Sequence, residues 1–77
     1  MDGTITLMIT CENKPTFFIT NLNRKTPFIN VAGAIREKLE IHEDKTHLFY
    51  YKDTVVDINL TVEQLQLDSF STIDIKL

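Results

Sequence analysis

Four short apolar patterns follow one another in the last thirty residues, and few folds accommodate that order. A strand-like run at Leu48–Lys52 precedes a shorter apolar run at Val55–Ile58. The segment Thr61–Leu65 then has the spacing of one helical turn, and residues 71–77 alternate apolar and polar side chains, as a half-buried strand does. The C-terminal half is therefore predicted to form a strand, a short strand, a helical turn and a final strand.

The first twenty residues predict a β-hairpin. Isoleucine and leucine side chains alternate with mostly polar ones over residues 4–10, which indicates a strand with one buried face. A polar turn at Cys11–Lys14 follows, and its asparagine suits the positive φ that tight turns require. The second strand is predicted at Thr16–Thr20. Pro15 has no N–H to donate, so it is expected at the start of this strand or along a sheet edge.

A helix is predicted after residue 25. Thr26 suits the N-cap, and Pro27 suits the first helical position, where its missing N–H costs nothing. One apolar stripe at helical spacing follows, formed by Phe28, Val31, Ile35 and Leu39. Gly33 interrupts this helix at a cost of about 1 kcal/mol relative to Ala, and a close approach of the helix to the sheet would explain it.

The predicted order is a hairpin, a helix, a strand, a short strand, a helical turn and a final strand. We expect this order to give a mixed sheet that wraps one helix, with the first and last strands parallel at its centre. The prediction is a single α+β domain over residues 1–77. Leu48 and Tyr50 are expected to point inward from the third strand. Side chains that would close the open end of the core are Val62, Leu65 and Leu67. The buried face of the last strand is predicted to consist of Ile73, Ile75 and Leu77.

Charge balance and cysteine content exclude several classes of function. The chain has 8 Lys and Arg against 11 Asp and Glu, a net charge of −3, and its basic residues are scattered, so it is not expected to bind nucleic acid. A single cysteine excludes an internal disulfide. No apolar run approaches the roughly 18 residues of a membrane-spanning helix, and the N-terminus is unlike a signal peptide. We therefore expect a cytoplasmic or nuclear protein without a membrane partner.

Catalytic and metal-binding residues are not expected either. His42 and His47 lie five residues apart around Glu43 and Asp44, a spacing that matches no established ligand motif. Cys11 has no histidine nearby to activate its thiol. Two glycines thirty residues apart cannot form a phosphate-binding loop. The sequence thus predicts a protein that is not an enzyme and that has no cofactor, metal or small-molecule substrate.

These patterns resemble the ubiquitin-like superfamily over nearly the whole chain, from Ile5 to Leu77. The segments that carry the resemblance are Asn-Val-Ala-Gly-Ala-Ile-Arg-Glu-Lys at 30–38, the spacing of Ile41, Asp44 and Leu48, Thr-Val-Glu-Gln-Leu at 61–65, and Ser-Thr-Ile-Asp-Ile-Lys-Leu at 71–77. The resemblance implies the ubiquitin-like β-grasp fold, in which a mixed sheet of four to five strands wraps around one helix.

The resemblance also indicates that the surface by which ubiquitin binds most of its receptors has changed. The central isoleucine of that surface, on the third strand, falls on Phe49. Its histidine and valine neighbours on the last strand fall on Asp74 and Lys76, and its hairpin-loop leucine falls near Glu12. One of the four positions is still apolar, so ordinary ubiquitin receptors are not expected to recognise this face.

Positions used in conjugation differ as well. The lysines that ubiquitin uses most for chain building fall on Asp53 and Ser69, and the sequence given ends at Leu77, before any Gly-Gly tail. The resemblance therefore implies a non-conjugated ubiquitin-like interaction domain. We expect it to be a module of a larger protein, acting as an adaptor in the ubiquitin and proteasome pathway.

Apolar side chains on the predicted outer face of the sheet are the candidate docking residues. Met8 and Phe18 are expected to be cross-strand neighbours in the hairpin, and Phe49 with Tyr51 is expected to point outward from the third strand. Scattered exposed apolar residues are normal on small proteins, so only a contiguous patch would mark an interface. The residues predicted to bind a protein partner are Phe49, Tyr51, Asp74, Lys76, Met8 and Phe18.

Two other classes of function stay open. The first is a ubiquitin-like modifier, which would need a Gly-Gly tail after the end of this sequence. The second is another β-grasp docking module, either GTPase-binding or head-to-tail. GTPase binding would favour basic residues along the second strand, and Thr16–Thr20 has none. Head-to-tail pairing would favour a lysine on the first strand and an acidic cluster after the third, where Asp53 and Asp57 are sparse.

Overall fold

A computed structural model describes residues 3–41 and 48–76 of the chain. Its elements are β1 (Thr4–Cys11), β2 (Lys14–Asn23), α1 (Phe28–Leu39), β3 (Leu48–Tyr51), β4 (Thr54–Val55) and β5 (Ser71–Lys76). The strands form one sheet in the order β2-β1-β5-β3-β4. β1 and β5 are parallel at its centre, and the other neighbouring pairs are antiparallel. The predicted α+β arrangement of a mixed sheet and one helix is confirmed.

Some sequence predictions fall outside the described residues. They concern His42, Glu43, Asp44, His47 and Leu77.

The N-terminal hairpin forms as predicted but extends further than expected. Cys11 is the buried last residue of β1 and not part of the turn, and Asn13 has the predicted positive φ, 64°. β2 runs to Asn23 because the β1–β2 register shifts between Ile5 and Leu7, a bulge that lets pairing continue past Asn21. β2 is an edge strand of the sheet, which accommodates its proline as expected.

The helix packs one face on the sheet, as its apolar stripe predicts. Its buried side chains are Phe28, Val31, Ala32, Ile35 and Leu39. The helix ends at Glu40 with φ 56°, and the Ile41 N–H donates to the Arg36 carbonyl over 2.9 Å, which resembles a Schellman closure without glycine. Within residues 3–41 and 48–76, no helix combines the length and apolar character needed to cross a membrane.

Two details of the helix differ from prediction. Pro27, not Thr26, is the N-cap, and no side chain caps the first turn. The free N–H of Phe28 donates instead to the Leu60 carbonyl over 2.8 Å, so a tertiary contact replaces the local cap. Gly33 is exposed, and a Cβ built on it would meet nothing within 4 Å. A close approach to the sheet therefore does not explain this glycine.

A capped turn closes the far end of the core. The Thr61 Oγ1 accepts from the Gln64 N–H over 3.0 Å, while the Gln64 Oε1 accepts from the Thr61 N–H over 2.9 Å. This reciprocal pair is a capping box, and it holds the helical turn that the sequence predicts. The turn buries Val62 and Leu67 completely, and Leu65 packs partly against the core, as expected.

The third strand is inverted relative to prediction. Phe49 is 3% exposed and its ring packs edge-on against Phe28 at 5.7 Å between centroids, whereas Leu48 is 41% exposed. In the ladder with β5, Phe49 is paired with Ile75 and Tyr50 with Asp74. Cross-strand partners share a face, so Phe49 must join the buried side and Tyr50 the outer side.

Candidate interaction surface

The outer face of the sheet is the side turned away from α1. Alternation along each strand assigns its side chains, because neighbouring residues point to opposite sides. They are Thr6, Met8 and Thr10 on β1, Thr16, Phe18 and Thr20 on β2, Thr72, Asp74 and Lys76 on β5, and Leu48 and Tyr50 on β3. The face is thus polar at most positions, with aromatic side chains on β2 and β3.

Tyr50 lies at the centre of the β5–β3 half of this face. It is half-buried and pairs with Asp74 on one side and with Val55 on the other. The Lys76 Nζ lies 5.1 Å from the centre of the Tyr50 ring, within the range of a cation–π contact. The Thr10 hydroxyl donates to the Asp74 carboxylate over 2.6 Å and fixes its orientation. The Tyr50 ring therefore lies beside one anionic and one cationic side chain.

An open groove of about 460 Å³ runs across this half of the face. Its lining includes Tyr50, Tyr51 and the β3–β4 turn, together with Phe70, Thr72 and Asp74. The turn residues Lys52 and Asp53 both have positive φ, 52° and 63°, as a two-residue type I′ hairpin requires. The groove is therefore lined by both aromatic and charged side chains.

Two of the predicted partner-binding residues point to the opposite side of the sheet from the one expected. Phe49 belongs to the core, and the Arg36 guanidinium carbon lies 5.9 Å from the centre of its ring. Tyr51 is half-buried, packs against the core and receives a hydrogen bond from the Ser71 hydroxyl over 3.4 Å. The expectation that both point outward is wrong. The outward position that the resemblance assigned to Phe49 is occupied by Tyr50, one residue later.

The other four predicted residues lie on the outer face as expected. Asp74 and Lys76 are exposed, and Met8 and Phe18 are direct cross-strand partners. Sequence reasoning missed Phe70, which is 69% exposed and contacts the Phe18 ring edge-on at 6.4 Å. A phenylalanine in an otherwise polar turn, between Asp68-Ser69 and the final strand, was the available signal.

Outside this surface, the groups to consider are the Cys11 thiol, possible metal ligands and one ion pair. Burial raises the pKa of the Cys11 thiol, and nearby Asp74 and Glu12 raise it further against the opposing effect of Lys14. The thiol therefore stays protonated and unreactive near neutral pH. The described part of the chain contains no cluster of three His, Cys, Asp or Glu side chains that could hold a metal. An exposed ion pair joins Arg24 to Asp68 at 3.6 Å.

Comparison with known proteins gives similarity in structure and not in sequence. No protein-family model matches the chain, and no curated protein matches it. Among solved structures, one described as molecular mimicry of SUMO that promotes DNA repair is 12% identical, with a TM-score of 0.83 over 97% of this chain and 92% of that one.

Two further structures are similar to the same degree. The UBL domain of yeast Ddi1 is 14% identical, with a TM-score of 0.81 over 96% of this chain and 88% of that one. The ubiquitin of Caldiarchaeum subterraneum is 13% identical, with a TM-score of 0.84 over 95% of this chain and 91% of that one. At such identities the likeness concerns the fold, and it extends over almost the entire chain. The protein has the ubiquitin-like β-grasp fold.

Proposed function

We propose that this chain is a ubiquitin-like protein-interaction domain that docks its partner on the outer face around Tyr50. The observation that supports this most is the arrangement of Tyr50 between Asp74 and Lys76. Tyrosine is enriched among residues that dominate binding energy, because it offers a large apolar surface and a polar tip. The two adjacent opposite charges would select a partner with a cation facing Asp74 and an anion facing Lys76.

The pathway is a further part of the proposal. The domain acts, without being conjugated and without catalysis, as an adaptor module in the ubiquitin and proteasome pathway of the cytoplasm or nucleus. The fold it shares with the UBL domain of Ddi1 supports this role. The replacement of an apolar patch by Tyr50, Asp74 and Lys76 implies that its receptor differs from those that bind ubiquitin.

An NMR titration tests the docking surface directly. Isotope-labelled protein is titrated with a proteasomal ubiquitin receptor and, separately, with a ubiquitin-binding helix. We expect chemical-shift changes concentrated at Tyr50, Thr72, Asp74 and Lys76 with at least one of them. Changes concentrated on α1, or none with either probe, would contradict the proposed surface or pathway.

Matched variants separate docking from folding. Tyr50→Ala is expected to weaken the complex by about tenfold or more, the level of a hot-spot residue. Ile29→Ala removes another apolar side chain, 49% exposed on the helix, and should leave affinity unchanged. Equal losses for both variants would show that affinity follows general stability and not this surface.

A conjugated modifier is the second candidate, since ubiquitin itself is among the similar folds. It predicts that an epitope-tagged product of the native gene forms covalent adducts, visible as a ladder on a denaturing gel. Absence of adducts, with the tagged protein expressed, would favour the docking domain.

A further inference from the structure

Two carboxylates line the groove on the outer face, those of Asp53 in the β3–β4 turn and Asp74 on β5. Both side chains are exposed, and within residues 3–41 and 48–76 neither carboxylate has an ion-pair partner. The Thr10 hydroxyl donates to Oδ1 of Asp74, and the other oxygen of that carboxylate can accept from a further donor. The groove therefore offers negative charge that the described part of the chain does not neutralise.

Aromatic rings line the same groove, and two of them already lie against cations. The Lys52 Nζ is 5.3 Å from the centre of the Tyr51 ring, and the Lys76 Nζ is 5.1 Å from that of Tyr50. The Phe70 ring is 69% exposed, and among the described residues no cation lies over it. A cation that entered the groove would therefore meet an open aromatic face beside the carboxylates.

The balance of charge in the groove favours a cationic ligand. Its lining holds two aspartates and one lysine, Lys52, which leaves a net charge of −1, and the whole chain carries −3. Lys76 lies over the Tyr50 ring and is not part of the lining. Complementary charge steers a partner to such a surface and disfavours a partner of the same sign.

Arginine fits this lining better than lysine does. Its planar guanidinium stacks on aromatic rings and offers several donors in one plane, which suits two-point binding of a carboxylate. The lysine ammonium is a compact, strongly hydrated charge, so it gains less from an aromatic face and a carboxylate together. An exposed ring next to an unpaired carboxylate is a surface on which both properties of arginine are used.

We propose that the groove receives an arginine side chain from a basic segment of a partner protein. The guanidinium stacks on the Phe70 ring and pairs with Asp74, and Asp53 adds a second negative charge. The inference rests on the proposed function, because it specifies the chemistry of the partner that docks around Tyr50. A second copy of this chain is a poorer occupant, since two chains of net charge −3 repel each other.

Selection from a random peptide library displayed on phage tests the inference. The immobilised protein is the target, and peptides that also bind the Tyr50→Ala variant are removed. We expect the remaining peptides to share an arginine. Replacing this arginine with citrulline, which is neutral and nearly the same shape, should weaken the synthetic peptides by about tenfold or more. Lysine at the same position should recover only part of the affinity.

Variants that remove one charge locate the arginine on the protein. Asp74→Asn keeps the shape of the side chain and should weaken the arginine peptides by about tenfold. Asp53→Asn should have a smaller effect in the same direction, and asparagine tolerates the positive φ of this turn position. Glu37→Gln removes an equal charge from the exposed side of α1 and should leave the affinity within about twofold.

Two further variants give opposite signs. Lys52→Asn removes the one cation of the lining at a turn position that suits asparagine, so it should strengthen the binding of arginine peptides. Phe70→Leu keeps an apolar side chain but removes the aromatic face, and it should weaken the same peptides by about threefold. An anionic ligand would respond to Lys52→Asn in the opposite direction.

Several results would overturn the inference. Selected peptides that depend on Tyr50 but share no arginine, or that bind Asp74→Asn as tightly as the unaltered protein, would contradict it and leave the proposed function standing. Weaker binding of the peptides to Lys52→Asn would also contradict it. Failure to enrich any Tyr50-dependent peptide would contradict both the inference and the proposed docking surface. Circular dichroism of each variant shows that it is folded, and if Asp74→Asn is not, the same criteria apply to Asp53→Asn.

Discussion

The two faces of the sheet differ most clearly at two consecutive residues, Phe49 and Tyr50. Phe49 is buried against the Phe28 ring and pairs with Ile75, while Tyr50 lies on the outer face and pairs with Asp74. The inner face is continuous and apolar, and on β1 it includes residues that are completely buried. The outer face places its aromatic residues singly or in pairs among threonines and charges. Two similar aromatic side chains at consecutive positions therefore lie in different environments, one in the core and one on the face proposed for docking.

This difference shows that pairing with the neighbouring strand, more than residue type, decides which β3 side chains are buried. β3 has four consecutive apolar or aromatic side chains, Leu48–Tyr51, so its own sequence is compatible with either face. β5 alternates strictly, and its pairing with β3 decides which β3 residues enter the core. A shift of the register by one residue would move each β3 side chain to the opposite face of the sheet.

Phe49→Ala is the change expected to have the largest effect. Removing a 3%-exposed ring should lower the free energy of unfolding by about 3–5 kcal/mol, through lost transfer energy and a residual cavity. Tyr50→Ala on the opposite face should cost about 1 kcal/mol or less, mainly through its contact with Lys76. Urea denaturation of both variants measures the contrast. If Tyr50→Ala were the more destabilising of the two, the assignment of the faces would be reversed.

Ile75→Ala tests the inner face one strand further in. Ile75 is 2% exposed between β1 and β3, so we expect a loss of about 2–5 kcal/mol in the free energy of unfolding. Its neighbour Asp74 is exposed on the outer face, and Asp74→Ala is the matched comparison, with an expected loss of about 1 kcal/mol from the hydrogen bond that its carboxylate accepts from Thr10. Similar losses for the two variants in urea denaturation would show that β5 does not separate the faces as described.

Gly33→Ala should raise stability. The residue lies in the exposed middle of α1 with room for a Cβ, so alanine should add about 0.5–1 kcal/mol to the free energy of unfolding. The matched change Ala32→Gly, on the buried side of the same helix, should be destabilising. Thermal or urea denaturation distinguishes the signs. A destabilised Gly33→Ala would mean that the glycine has a packing role that its surroundings do not reveal.

The smallest expected effect concerns the pH dependence contributed by Cys11. Burial raises the pKa of this thiol, so the folded protein keeps a proton that the unfolded chain loses above its usual pKa of about 8.5. The stabilisation that comes from keeping this thiol neutral is fully present below that pH. It is lost as pH rises from there through the pKa of the thiol in the folded protein, so the free energy of unfolding falls over that range. Denaturation between pH 7 and 10, compared with Cys11→Ala, isolates it. If the free energy of unfolding depended on pH in the same way for both proteins, a contribution from Cys11 would be excluded.

Most of the fold follows from local patterns in the sequence. The alternation of Ile5, Leu7 and Ile9 defines the buried face of β1, and the helical stripe from Phe28 to Leu39 defines the buried face of α1. These predictions are confirmed because one face of each element is apolar and the other is not. Such patterns specify the burial of an element whichever neighbour it meets.

The candidate site was less predictable from the sequence. Asp74, Lys76, Met8 and Phe18 were placed on the correct face because their strands alternate. Tyr50 was missed because β3 has no alternation. Phe70 was missed because a positive φ and a hydrogen bond to Thr6, both invisible in the sequence, determine where its ring points.

The sequence by itself determined the order of elements and the buried faces of the alternating strands and the helix, because periodicity and turn chemistry are local properties. The parallel pairing of the first and last strands was implied by the β-grasp order as a whole and not by a local pattern. The tertiary structure decided the face of each β3 residue, the capping of α1 by the Leu60 carbonyl and the contact of Phe18 with Phe70. Each of these depends on groups far apart in the chain. Their relative positions arise only when the sheet closes over the helix, so no local pattern encodes them.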